Sequence, residues 1–224
     1  MMRIPTRAHV YATLTIAAIV WIAWFSAQGT SLHLADLKPF SFAAAVVVAA
    51  FEVFDRWAWR LGPIPQLIGI PDLRGTWTGE LRTTWTDKEP GKPLEPIEVY
   101  LVVRQTYSRI RTALLTKESK STSLVSSLDC ERDTMPTIQW TYRNIPALLL
   151  QSKSRIHHGA VMMDIHGTPA RRLTGFYWTD RDSKGELTFE GRTKSVHSDF
   201  DGAHADTYSG VRVDGPATAE SQSR

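Results

Sequence analysis

From Val10 to Ala27 the chain runs VYATLTIAAIVWIAWFSA, eighteen residues without an Asp, Glu, Lys or Arg. That length is near the shortest that crosses a hydrocarbon core of about 30 Å, and it predicts a helix in lipid. A second run, PFSFAAAVVVAAFEVF, has twelve residues between Pro39 and Glu52, so a full crossing must include Glu52 or draw on Leu34 to Leu37. Trp57 and Trp59 beside Arg56 and Arg60 suit an interfacial anchor on one side, and Trp21, Trp24 and Phe25 suit one on the other. Basic residues flank the pair outside both runs, whereas the connector QGTSLHLADLK holds one Lys and one Asp. The positive-inside rule then places both termini in the cytoplasm. Two alternatives stand beside this reading. One is a cleaved signal peptide, which the bulky WIAWF end disfavours; the other is a helical hairpin buried in a soluble protein.

The pattern changes after LGPIPQLIGIPD, residues 61 to 72, whose three prolines and two glycines make a stiff exit that resists helix continuation. RGTWTGELRTTW, EPIEVYLVVRQTY, SRIRTALLTKES and STSLVSSLDCE follow with β-like alternation, then PTIQWTYRN, IPALLLQSK, GAVMMDIHG, RRLTGFYWTD and GELTFEGRT. DRDSKG is a hairpin turn between the last two. About eight short, closely linked strands predict a small, mostly antiparallel barrel or a compact sandwich. The barrel is preferred because closure removes sheet edges and the Thr, Arg, Tyr and Gln of the strands suit a partly polar interior. The expected organisation is a transmembrane helical hairpin over 1–60, a proline-rich linker over 61–73, a β-barrel sensing domain over 74–192 and a polar, flexible tail over 193–224. Within the tail, VRVDG offers at most a brief strand.

Charge sharpens the division. Of 224 residues, the first 60 include eight charged ones, and the remainder carries 21 basic against 20 acidic side chains within an overall net charge of +3. Bulk charge therefore makes no case for DNA. One cysteine, Cys130, rules out a disulfide-stapled scaffold and points to a structural thiol. No GxSxG or GxxxxGK[ST] motif is present. His157, His158 and His166 with Asp164 resemble a metal set only by chance proximity on a hairpin, so neither a catalytic centre nor a metal site is expected and the chain is read as a non-enzyme.

The positive signal is arginine. Of twenty basic residues between Pro71 and Asp214, thirteen are Arg. Arg104, Arg109, Arg111, Arg143 and Arg181 lie in or beside strands that also carry Gln105, Tyr107, Tyr142, Asn144, Tyr177 and Thr179. Guanidinium groups pair with phosphate, tyrosines stack on bases, and amide or hydroxyl groups read base edges. Strand alternation puts Gln105, Tyr107 and Arg109 on one face and Tyr142 with Asn144 on one face of a later strand. Ordinary outward arginines with structural Tyr and Thr give the same composition. In RGTWTGEL, Gly75 and Gly79 permit tight curvature and Trp77 offers a core plug or, less simply, a stacking surface.

The order of these features resembles the membrane-anchored β-barrel effectors of bacterial cyclic-oligonucleotide-based antiphage signalling (CBASS), the two-transmembrane β-strand-rich family. The resemblance is carried by the double apolar run, RGTWTGEL at 74–81, VRQTYSRI at 103–110, TKESKSTS at 116–123, YRNIP at 142–146, HHG at 157–159 and LTGFYWTDRDSKGEL at 173–187. It implies a multi-pass protein of the bacterial inner membrane whose cytoplasmic barrel binds a cyclic dinucleotide made by a partner nucleotidyltransferase. That ligand is the activator, with no other cofactor, and its binding drives homo-oligomerisation and membrane disruption. On this resemblance Arg104, Arg109 and Arg181 are expected at phosphates, Tyr107 and Tyr142 at bases, and Asn144 and Thr179 as polar readers. The alternative from another class is a membrane-tethered barrel that binds lipid, peptide or protein through surface arginines.

Overall fold

A computed structural model describes residues 7–27, 37–83, 95–130, 134–152 and 154–209. The two apolar runs are helical, α1 over Arg7–Ala27 and α2 over Leu37–Arg56. Glu52 falls in the last turns of α2, where Arg56 lies 3.8 Å away one turn on. Ile16, Ile19, Val20 and Trp24 of α1 and Phe42 and Val46 of α2 are exposed. Among the described residues, no helix is long and apolar enough to cross a membrane. Most of the QGTSLHLADLK connector and all of VRVDG lie outside the described residues.

The stretch after α2 is built into the base of the next domain and is more than a spacer. A 3₁₀ turn over Ala58–Arg60 buries Trp59 completely, so Trp59 sits in a protein core and Trp57 alone of the pair is exposed. A five-residue helix, α3, spans Ile64–Ile68 despite its proline, because Pro65 occupies the first turn, where its missing N–H has no partner to lose. Ile70 and Leu73 are then buried.

Eight strands follow: β1 Gly75–Thr83, β2 Ile97–Gln105, β3 Ile110–Leu115, β4 Ser119–Asp129, β5 Thr137–Pro146, β6 His157–His166, β7 Arg172–Thr179 and β8 Lys184–Thr193. Each pairs antiparallel with its sequence neighbours, and β8 returns to β1, so the sheet is a closed barrel. Alternation is clearest on β5, where Ile138, Trp140, Tyr142 and Asn144 are buried while Gln139, Thr141, Arg143 and Ile145 are exposed. Up-and-down order gives the barrel two ends. The base gathers the start of β1 and the β2–β3 and β6–β7 turns; the mouth gathers the β3–β4, β5–β6 and β7–β8 turns. Trp77, Ile138, Met163, Leu173 and Phe189, all fully or almost fully buried, fill the base half. Trp77 is the expected plug, with its indole Nε1 donating to Leu73 O at 2.9 Å and the Arg192 guanidinium 5.0 Å from its ring.

Two expected strands are shorter or absent. IPALLLQSK is not a strand: β5 runs on to Pro146, and Leu148–Leu150 makes a 3₁₀ turn whose Leu148 and Leu149 are 81% and 91% exposed. These leucines have no sheet face against which to alternate. TKES is likewise a turn, since β3 ends at Leu115 and β4 begins at Ser119.

The segment expected as a loose tail holds α4, Phe200–Ser209. Its cause lies in β2 and β3, whose outward residues Tyr100, Val102 and Leu115 are apolar and require cover. Ala203 and Phe200 supply it, and these residues form a second small core outside the barrel. Phe200 meets the Tyr100 ring edge-on at 5.2 Å. His204 Nδ1 lies 3.2 Å from Glu98 Oε2, and Tyr100 donates its hydroxyl to Glu98 Oε1 at 2.6 Å.

At the base, α2 is fastened to the β2–β3 turn. Asp55 is fully buried; its carboxylate accepts the Ser108 N–H at 2.7 Å and its carbonyl accepts the Tyr107 N–H at 3.0 Å. Phe54 packs edge-on against Tyr107 at 5.0 Å. A carboxylate is unfavourable at a helix C-terminus, and here it closes a turn of another element.

Because α4 lies on the outer face of β2 and β3, touches β1 at Thr78 and contributes nothing to the barrel interior, its release is separable from unfolding. Ala203→Asp sets a carboxylate against Tyr100 and Leu115, and burying it unpaired costs more than detaching the helix. In Ala203→Asp the amides of 200–209 are expected to lose hydrogen-exchange protection while those of β5 to β7 keep theirs. Equal loss in both regions would show that α4 is integral to barrel folding.

Candidate functional site

Toward the mouth, the inward positions change character. Above Trp140, Val161 and Leu187 they become Tyr142, Asn144, Ser121, Thr179 and Ser183, and the side chains no longer fill the ring. They leave a cavity of about 460 Å³ with an apolar floor and a polar rim. A volume of that order holds a small organic ligand.

Two tyrosines shape it, and glycines make room for both. Tyr142 on β5 is paired across the ladder with Gly159 on β6, where a Cβ would lie 2.5 Å from the tyrosine oxygen. Tyr177 on β7 is paired with Gly185 on β8, where a Cβ would lie 2.8 Å from Tyr177 Cε1. The rings lie over the bare backbone opposite them, which gives a physical reason for glycine in HHG and DSKG. Tyr177 donates its hydroxyl to Thr83 Oγ1 at 2.7 Å. Burial pushes the Tyr142 phenol far above its ordinary value of 10, reinforced by Tyr177 and Asp180, so it remains a neutral donor.

Asn144 is held from behind. Its Nδ2 donates to Ser119 Oγ at 3.0 Å and to Ser121 Oγ at 2.8 Å, consuming both amide hydrogens, while Oδ1 has no partner. At the rim, Arg181 Nη1 donates to Ser154 Oγ at 2.9 Å, linking the β7–β8 turn to the β5–β6 loop. Lys117, Glu118 and His157 complete the rim.

Four of the seven expected site residues, Tyr142, Asn144, Thr179 and Arg181, therefore line one cavity. Arg104, Tyr107 and Arg109 do not; they lie at the base, at the opposite end of the barrel. Treating Gln105, Tyr107 and Arg109 as one strand face fails because β2 stops at Gln105 and β3 starts at Ile110. Gln105 turns inward and seals the base, accepting the Leu73 N–H at 2.9 Å and donating to Pro71 O at 3.0 Å. Arg104 and Arg109 are exposed, and Arg104 is paired across the ladder with exposed Arg111. Lys117, Ser119, Ser121 and Ser183 were not singled out from the sequence. A Thr followed three or four residues later by Ser, which closes a side-chain turn at TKES and TDRDS, is the signal that marks Lys117, Ser119 and Ser183; Ser121 follows by parity from Ser119 on β4.

No group of three metal-ligating side chains converges among the described residues. His157 faces the cavity with Nδ1 3.1 Å from Arg155 O, His158 faces out toward Asp180, and His166 lies near the base with Nε2 2.7 Å from Thr174 Oγ1. Cys130 follows the end of β4 far from the mouth, and burial together with Asp129 pushes its thiol up to about 11.

An eight-stranded barrel sealed at its base, open at its mouth, and lined there by hydroxyls, an amide, tyrosines and two cations defines a small-ligand receptor. Its apolar floor and polar rim suit an amphipathic, anionic ligand. The chain belongs to the family described as Cap15, cyclic dinucleotide receptor domain, whose model matches residues 68–191, the whole barrel short of its last two residues. No curated protein matches the chain.

Two outcomes follow from this geometry. Gly159→Ala forces Tyr142 or the β6–β7 ladder to move and is expected to lower stability by about 1–3 kcal/mol in urea unfolding. Gly191→Ala, whose Cβ would meet nothing nearer than Thr78 Cβ at 3.6 Å, is expected to stay within about 0.5 kcal/mol of wild type. Equal effects would remove the steric argument. Separately, iodoacetamide should modify Cys130 slowly at pH 8, with the rate rising about tenfold per pH unit up to about 11. A rate that levels off near pH 8.5 would show an ordinary exposed thiol.

Proposed function

We propose that the barrel is the sensor of a CBASS antiphage effector: a cyclic dinucleotide made by a partner nucleotidyltransferase enters the mouth, and the occupied chains assemble and disrupt the inner membrane. The observation that carries this reading is the coincidence of the matched receptor family with a barrel whose mouth bears a cavity. The ligand has two flat bases for Tyr142 and Tyr177, polar base edges for Asn144 and Thr179, and anionic phosphates for Arg181. No bond is made or broken; the protein acts as a receptor without catalysis.

The membrane part of the reading rests on α1 and α2. α1 has 21 residues, about 30 Å of helix, and both helices display large apolar side chains. In this reading helices from several ligand-bound copies pack together in the bilayer and shield one another, Glu52 of α2 included. Arg104, Arg109 and Arg111 at the base, the end from which α2 departs, fit the anionic surface of the cytoplasmic leaflet, with both termini on that side. Cross-strand pairing of Arg104 with Arg111 is otherwise costly.

Titration calorimetry of the detergent-solubilised full chain against a panel of cyclic dinucleotides tests the sensor. Saturable binding of at least one member is expected, and none across the panel would overturn it. In dye-loaded liposomes containing anionic lipid, that member should trigger release that rises steeply with protein concentration. A chain starting at residue 52, which keeps Asp55 and Trp59 in place, should bind equally well and release nothing. Release by that shorter chain would refute the role of α1 and α2.

A further inference from the structure

Two of the mouth turns are built alike. In the β3–β4 turn, Thr116 N donates to Ser119 O at 3.0 Å. The Thr116 hydroxyl lies 3.1 Å from Ser119 Oγ and accepts the N–H groups of Glu118 at 3.3 Å and Ser119 at 2.9 Å. In the β7–β8 turn, Thr179 N donates to Ser183 O at 2.9 Å. The Thr179 hydroxyl lies 2.7 Å from Ser183 Oγ and accepts the N–H groups of Arg181 at 3.2 Å and Ser183 at 3.3 Å. In both, the threonine hydroxyl also donates to the serine carbonyl, at 3.2 and 3.3 Å. The second turn is one residue longer and takes up the extra length with Asp182 at φ 57°. Each turn brings a Thr, a Ser and one cation to the cavity: Lys117 in the first, Arg181 in the second.

The barrel order fixes how these turns face each other. In a closed ring of eight strands, hairpins four strands apart stand on opposite sides of the axis, so the β3–β4 and β7–β8 turns oppose one another across the opening. Local charge is also alike. Lys117 is followed by Glu118, and Arg181 is flanked by Asp180 and Asp182. Neighbouring carboxylates limit the negative charge that either turn will accept, which favours a phosphodiester with one charge over a terminal phosphate with nearly two.

The geometry points to one phosphodiester per turn: Lys117 with the Ser119 hydroxyl, held in place by Thr116, takes one phosphate of a cyclic dinucleotide, and Arg181 with the Ser183 hydroxyl, held in place by Thr179, takes the other. The ligand's near two-fold symmetry then coincides with that of the mouth. This rests on the cyclic dinucleotide reading and adds to it a second cationic subsite, the pairing of subsites, and the rejection of mononucleotides.

The test uses the detergent-solubilised full chain and the cyclic dinucleotide that the wild type binds most tightly among the 3′,3′-linked combinations of the four ribonucleotides. Lys117→Met and Arg181→Met are each expected to weaken binding about tenfold or more, and the two losses are expected to multiply in the double variant, as for independent contacts. Lys117→Arg and Arg181→Lys should restore most of the affinity, and nucleoside 5′-monophosphates should bind at least about a hundredfold more weakly than the cyclic ligand. Both side chains are exposed, so each variant should keep the wild-type melting curve, which separates lost contacts from lost folding. If the wild type binds but Lys117→Met stays within twofold of it, or monophosphates bind as tightly as the cyclic ligand, one phosphate per turn is wrong while the sensor stands. If the wild type binds no member of the panel, both fall.

Discussion

The width of a closed sheet is set by its number of strands, and eight strands enclose about one side chain's reach from each wall. Whether that space is solid or hollow depends on what the inward positions carry. In the lower half they are Trp77, Ile138, Met163 and Phe189, which meet across the axis and leave no room. In the upper half they shrink to Ser121, Asn144, Thr179 and Ser183, with bare backbone at Gly159 and Gly185. The cavity is therefore a gradient in side-chain volume along the strands. Small residues at the mouth are polar because they border water or ligand; large ones at the base are apolar because they border one another.

Closure also separates the tasks of the two ends. The base holds the seals to the rest of the chain: Gln105 bridging to Pro71 and Leu73, Trp59 buried in its turn, and Asp55 capping the β2–β3 turn. The mouth holds short turns whose side chains reach the opening. Between them, among the described residues, α4 covers the outer wall over β2 and β3, where it lies on Tyr100, Val102 and Leu115, and reaches β1 through Thr207 and Thr78.

Much of this was legible in the sequence, and the failures have physical causes. Alternation in PTIQWTYRN gave β5 its inward and outward faces, and DRDSKG marked its turn. IEVYLVVRQ was legible as a strand but not as one buried on both sides: its unbroken apolar centre needs an outer cover, and that cover, α4, lies in the segment expected as a loose tail. IPALLLQSK misled because three adjacent leucines look like a strand when only the last, Leu150, borders the cavity. At the site, Tyr142 and Asn144 share a face by simple parity, and Thr179 and Arg181 stand at a turn the sequence announces. Arg104, Tyr107 and Arg109 are misplaced by parity arguments because alternation within a strand does not say which end of the barrel a residue occupies. Chain direction does: β2 descends, so its last residues meet α2. Lys117 was hidden because TKES continued a β-like pattern.

The buried carboxylate of Asp55 gives the molecule a mechanical property that its proline-rich linker alone would not. Two hydrogen bonds and an aromatic contact clamp the end of α2 to the same hairpin, β2–β3, whose far end rises to Thr116 at the mouth. The end of α2 is thereby tied to that hairpin by backbone and side chain alike, so a tilt of the hairpin carries the end of the helix with it.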